Sequence, residues 1–166
     1  MTSEVREFWD RHAATFDEEP DHGLLDPAVR EAWTRLLVPL MPKPETRVVD
    51  LGCGTGSLSV LLAQAGHRVS GVDLSGRMVA AARAKAKAAG VEAEFTEGDA
   101  AKPPYEPGTA DTAGARRGAL VDGCRADRRR VPAARPGHGK RGRGHAAGRP
   151  RVVGREIDDE RYLLVS

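Results

Sequence analysis

Seven residues, Asp50 to Gly56 (DLGCGTG), bring together a carboxylate and three glycines at alternate positions. Glycine has no Cβ and takes positive φ freely, so such a run turns sharply and lets backbone N–H groups approach a ligand closely. When the run joins a strand to a helix, the helix N-terminus adds its own unsatisfied donors to the same spot. A nucleoside or phosphate is the kind of ligand these groups can cradle. Further along, Asp73 ends the stretch GVD and Asp99 follows Gly98 in EGDA. A carboxylate at a strand end can accept both hydroxyls of a ribose at once. The plainer readings are a tight turn for the glycines, a solvated strand-end acid for Asp73, and surface turn chemistry for Gly98 and Asp99.

Spacing separates the candidates. The dinucleotide fingerprint G-x-G-x-x-G puts Ser57 where its third glycine belongs, so a nicotinamide-dependent oxidoreductase loses its motif. VVDLGCGTG resembles instead the acidic-x-G-x-G-x-G signature of the class I S-adenosylmethionine-dependent methyltransferases, with the acid at the strand end. The resemblance implies that S-adenosyl-L-methionine is held by Asp50, Gly52, Cys53, Gly54, Gly56, Asp73, Leu74, Met78, Asp99 and Ala100. In that arrangement Asp73 takes the ribose, Asp99 stands beside the adenine amino group, and Ala100 offers its N–H to the ring. Met78 resembles the residue that packs on the adenine face, although its helical spacing fits a core position equally. Cys53 is a small loop residue rather than a nucleophile, because no base or second cysteine lies near it.

WDRHAATFDEEPDHGL is similar to the leading segment of small-molecule methyltransferases, where a helix folds over the cofactor. By that likeness Trp9, Phe16, Asp17 and His22 line the mouth of the site. By residue type His22 is a candidate general base, and a surface histidine is the preferred reading. No catalytic side chain is assigned. Methyl transfer from a sulfonium is an in-line displacement of an activated leaving group, so the protein chiefly positions the reactants. The implied partner is a small-molecule acceptor, and a base is required only if that acceptor must lose a proton.

The elements that present these residues follow from periodicity. Glu4 to Phe16 and Asp26 to Leu40 read as helices, the second with Asp26 as N-cap, Pro27 in the first turn and Val29, Trp33, Leu36, Leu37 and Leu40 on one stripe. Arg47 to Leu51 is a short apolar run bounded by turn residues, as expected of a buried parallel strand. Leu58, Leu61 and Leu62 mark a helix that Gly66 closes, and His67 to Val72 is the next strand, with His67 expected to be exposed. Ser75 caps a helix with Met78, Val79, Ala82 and Ala86 inward, Arg83, Lys85 and Lys87 outward, and Gly90 as its stop. Val91, Ala93 and Phe95 alternate as a third strand. The expected fold class is therefore α/β, a Rossmann-like doubly wound sheet whose front βαβαβ half is intact.

Composition divides the 166 residues into three zones. Residues 1–108 carry 12 Lys+Arg against 17 Asp+Glu, 109–151 carry 12 against 3, and 152–166 return to 2 against 4. In 109–151, Arg, Ala, Gly and Pro make up 31 of 43 residues, too little bulky apolar material to offset ordering entropy. Strands after residue 108 are accordingly expected to be missing or disordered until Arg161 to Val165 (RYLLV), a strand in a segment similar to the family C-terminus. Translation of a GC-rich gene in the wrong frame yields this composition, so 109–151 reads as an out-of-frame insert. The rival function is a nucleic-acid-binding module in which RADRRR and HGKRGRGH neutralise phosphates, though that segment has no aromatic residue for stacking. Cys53 and Cys124 show neither disulfide nor metal-ligand spacing, and the charged N-terminus has no apolar run, so the expected location is the cytoplasm.

Overall fold

The computed structural model describes residues 2–19, 22–41, 43–106, 109–116, 152–157 and 160–165. Helix α1 (Thr2–His12) carries Glu4 in its first turn and Arg11 and His12 in its last, charges that complement the helix dipole. It ends four residues before the expected boundary and leads into a 3-10 turn at Phe16–Glu18. Helix α2 (Pro27–Leu37) starts as its cap foretells, the Asp26 carboxylate accepting the Ala28 N–H at 2.8 Å. The stretch Val38–Leu40, expected to continue it, is a 3-10 turn, because Pro39 cannot donate into the α-helical ladder.

Strand β1 (Arg47–Leu51), helix α3 (Ser57–Gln64), strand β2 (Arg68–Asp73), helix α4 (Gly76–Ala89) and strand β3 (Ala93–Glu97) form the expected unit, and both strand pairs in it are parallel. Helix α4 keeps both signals read for it: the Ser75 hydroxyl accepts the Met78 N–H at 3.1 Å, and Gly90 closes the helix at φ 66°. Three further strands complete the sheet: β4 (Thr112–Arg116), β5 (Val152–Ile157) and β6 (Glu160–Val165). The strand order is β3-β2-β1-β4-β6-β5, with β5 antiparallel to β6 and the other pairings parallel. The chain therefore moves one way from β1 through β2 and β3, then returns to lay β4 on the other side of β1. That reversal opens a crevice beyond the C-terminal tip of β1, where ligands of doubly wound sheets bind.

Two expectations are corrected here. Thr112–Arg116 is a strand although no buried strand was readable in 109–151; small residues suffice because the ladder to Val48–Leu51 satisfies its backbone. The Asp111 carboxylate docks its start, accepting from Arg47 N at 2.9 Å and pairing with Arg47 and Lys43. His67 is buried rather than exposed. The turn at Gly66 folds the chain back so tightly that His67 N–H donates to Leu62 O at 3.1 Å, carrying the ring inward. Neither ring nitrogen has a partner among the described residues.

The core on the α2 and α3 side gathers Leu24, Trp33, Leu37, Val48, Leu61, Leu62 and Val69, and a second cluster joins α4 to Phe95. Both clusters fix the helices from which the loop at the tip of β1 is hung. Among the described residues, no helix is long and apolar enough to cross a membrane. The basic runs RADRRR and HGKRGRGH, and Cys124, lie outside the described residues.

Candidate functional site

The loop after β1 is seated on β2: the N–H groups of Gly52 and Cys53 both donate to Val72 O, at 2.8 and 3.0 Å. Gly52, Gly54 and Gly56 have φ of 73°, 55° and 75°, a sequence of left-handed turns that side chains other than glycine's resist. Gly56 is also packed shut, since a Cβ there would stand 2.8 Å from Ala82 Cβ. At Gly54 a Cβ would meet the Phe16 ring at 3.1 Å. Glycine at 54 thus makes room for the Phe16 ring, and at 56 for the packing of α4 and Phe95.

Asp73 links the two strand tips. One carboxylate oxygen accepts Gly54 N–H and the other Ser75 N–H, both at 2.9 Å. Burial raises its pKa above the ordinary aspartate value, against the lowering effect of those amides. Asp50, one strand over, accepts from Ser59 Oγ at 2.5 Å. The Cys53 thiol is driven far above the usual thiol range, chiefly by burial and then by the charges of Asp50 and Asp73, so it remains protonated and is no nucleophile.

Gly98 N–H donates to Asp73 O at 2.8 Å, which brings the end of β3 beside Asp73. The Asp99 carboxylate is exposed and closes a turn by accepting Ala101 N–H at 2.9 Å, while Ala100 packs on Val49, Leu51 and Val72. Leu74 is half-buried beside Asp73, whereas Met78 is only 1 % exposed and occupies a core position in this form.

The N-terminal segment covers the loop. Phe16 lies over Gly54, meets Trp9 edge-on and stacks on His22 with ring centroids 4.3 Å apart. His22 is therefore not a surface histidine. With Asp50, Gly52, Cys53, Thr55, Ser57 and Leu58, these two rings line a small, partly open cavity of about 10 Å³. Asp10 binds the start of α4, accepting from Ser75 Oγ at 2.5 Å and Arg77 N at 3.3 Å, and the Ser75 hydrogen bond holds its carboxyl below the usual range. Asp17 accepts from Thr55 Oγ1 at 2.5 Å and pairs with Lys85 Nζ at 2.7 Å.

Sequence reasoning did not place Asp10, Thr55, Ser57 or Lys85 at the site. Lys85 had a signal: it lies seven residues after Met78 and three after Ala82, hence on the inward stripe of α4, and the expectation that it points outward is corrected. Its ammonium reaches the loop because Thr55 and Ser57 supply buried hydroxyls there.

A model of the Methyltransferase domain matches residues 48–131, half of the chain, and includes the loop, Asp73 and β4. The chain belongs to the class I S-adenosylmethionine-dependent methyltransferases. Demethylmenaquinone methyltransferase of Thermus thermophilus is 40% identical to this methyltransferase over 82 residues, 48% of the present chain and 37% of the relative. Among solved structures, magnesium protoporphyrin IX methyltransferase of Synechocystis, with bound SAM, superposes with a TM-score of 0.58 at 25% identity, covering 72% of this chain and 63% of the other. The PH0226 protein of Pyrococcus horikoshii is 38% identical, with a TM-score of 0.50 over 54% of this chain and 42% of its own. The methyltransferase thus spans less than two thirds of each of these proteins.

Proposed function

We propose that this methyltransferase binds S-adenosylmethionine across the tips of β1 and β2 and passes its methyl group to a small-molecule acceptor. The observation that carries the reading is the Asp73 carboxylate, half-buried and aimed by the amides of Gly54 and Ser75. A carboxylate has about four lone-pair sites, so capacity remains for the two hydroxyls of a ribose. Gly52 and Gly54 keep the approach free of Cβ atoms, Asp99 and Ala100 stand where an adenine edge extends from that ribose, and Leu74 borders it. Asp50, Cys53 and the start of α3 line the cavity that continues toward Phe16 and His22. When bound, the cofactor supplies a methyl group already activated on a sulfonium sulfur. The chain's own residues orient it, exclude water beneath Phe16, and leave Cys53 protonated, so no enzyme-bound methyl is formed on that thiol. The compounds for which these relatives are named, demethylmenaquinone and magnesium protoporphyrin IX, favour a conjugated ring compound as acceptor.

Calorimetric titration with S-adenosylhomocysteine tests the binding step. Wild type is expected to bind, and Asp73→Asn to bind about a hundredfold more weakly, the loss of two charge-assisted hydrogen bonds of about 1.5 kcal/mol each. Folded wild type that takes up no ligand, or equal affinities for the two proteins, rejects the assignment.

A further inference from the structure

The N-terminal segment is fastened to the glycine loop through Asp17, held by an ammonium group and a hydroxyl. Lys85 Nζ pairs with Asp17 at 2.7 Å and donates to Ser57 Oγ at 2.6 Å and to Thr55 Oγ1 at 3.1 Å, which uses all three of its donors. Asp17 returns to the same loop through Thr55. The pair is screened from water: its side chains are 23% and 31% exposed, against 77% and 61% for the helical pair Arg35–Glu31. Ion pairs of the second kind contribute little, whereas partial burial strengthens the first.

Phe16 precedes Asp17 directly, so whatever holds Asp17 also holds the ring over Gly54. The cavity beneath the ring, about 10 Å³, has room for little more than a water molecule, far below the roughly 300–1,000 Å³ that small-molecule sites occupy. A nucleoside ligand can enter only if Phe16 moves away. At the other end of the segment Asp10 stays bound to Ser75 and Arg77, so release at Asp17 swings the intervening residues on a fixed point.

We propose that Lys85 is a positioning residue: its ion pair with Asp17 latches the N-terminal segment over the glycine loop, and breaking that pair gates entry and exit of the nucleoside ligand. The gating part rests on the cofactor reading above; the latch does not.

Hydrogen exchange separates the two. The amides of Glu18, His22 and Gly23 are hydrogen-bonded within the segment, to Thr15 O and Glu19 O. In ligand-free protein, Lys85→Met is expected to quicken their exchange about tenfold while amides of β1 and β2 keep wild-type rates. Asp17→Asn should do the same, and the double variant should exchange no faster than Lys85→Met alone, because both substitutions break one contact. Stopped-flow release of S-adenosylhomocysteine should accelerate in the same variants. Unchanged exchange at the three amides, or additive effects in the double variant, overturns the latch. Quickened exchange with unchanged release overturns the gate. A wild type that binds no S-adenosylhomocysteine removes the cofactor reading and the gate together, and the exchange result still decides the latch.

Discussion

A glycine matters here through two separate costs, backbone conformation and space, and the protein offers one residue for each. Gly56 and Gly66 both have positive φ, 75° and 90°. A Cβ on Gly66 meets nothing within 4 Å, while one on Gly56 stands 2.8 Å from Ala82 Cβ and 3.2 Å from the Phe95 ring. Gly66→Ala is therefore expected to cost about 1 kcal/mol, the conformational part alone. Gly56→Ala adds the overpacking of α4 and should cost about 3 kcal/mol. Urea unfolding of the two variants measures both, and equal losses would show that the loop yields where the geometry says it cannot. Gly52, Gly54, Gly56 and Asp73 were legible because the requirement for positive φ, and for a carboxylate at a strand tip, is local. The role of Lys85 was not legible to that degree, since its partners Thr55 and Asp17 lie 30 and 68 positions away in sequence and meet it only once α4 has packed.

An element with little apolar surface leans on backbone pairing for its place, and β4 illustrates it. Its residues, Thr112 to Arg116, have no bulky apolar side chain, so its place depends on the ladders to β1 and β6 and on Asp111 at its start. Asp111 accepts Arg47 N–H at 2.9 Å and faces the Arg47 guanidinium and Lys43, contacts that hold its carboxyl well below the usual aspartate range. Asp111→Ala should destabilise the protein at about pH 7 by about 1 to 2 kcal/mol, a range reduced for the exposure of both cations. A lowered folded-state pKa means that this contribution is present above the ordinary aspartate value and disappears as pH falls through the lowered one. The gap between variant and wild type must then close on strong acidification; denaturant midpoints at about pH 7 and about pH 2 decide it. Helix α4 was readable because Ser75 and Gly90 are both cap signals, and β1 because apolar residues crowd between Pro44 and Gly52. Strand β4 was not, because a strand made of Thr, Ala, Gly and Arg is defined by its neighbour's hydrogen bonds and carries no pattern of its own. His67 failed for a related reason: its burial is set by the turn at Gly66, not by its own type.

For the molecule as a whole, the proposed site makes folding and ligand binding meet at Asp73. In the ligand-free fold burial raises its pKa, so its contribution to stability is present below the ordinary aspartate value and is lost as pH rises through the raised one. In the proposed complex ribose hydroxyls donate to the carboxylate and favour the charged form, which lowers the pKa and makes binding release a proton within that window. Near neutrality, S-adenosylhomocysteine at about a hundred times its dissociation constant should add about 2.7 kcal/mol to stability. For a domain of this length that is a rise of about 5–10 °C in the melting midpoint. On acidification the ligand-free protein gains more from protonation of Asp73 than the complex does, so the two melting curves must draw together. Differential scanning fluorimetry at fixed ligand, from about pH 8 down to about pH 4, follows the separation directly. A separation that stays constant across that range would place the ligand away from Asp73, even with binding intact. A separation that narrows in wild type and not in Asp73→Asn ties the stability of the sheet to the sugar at its edge.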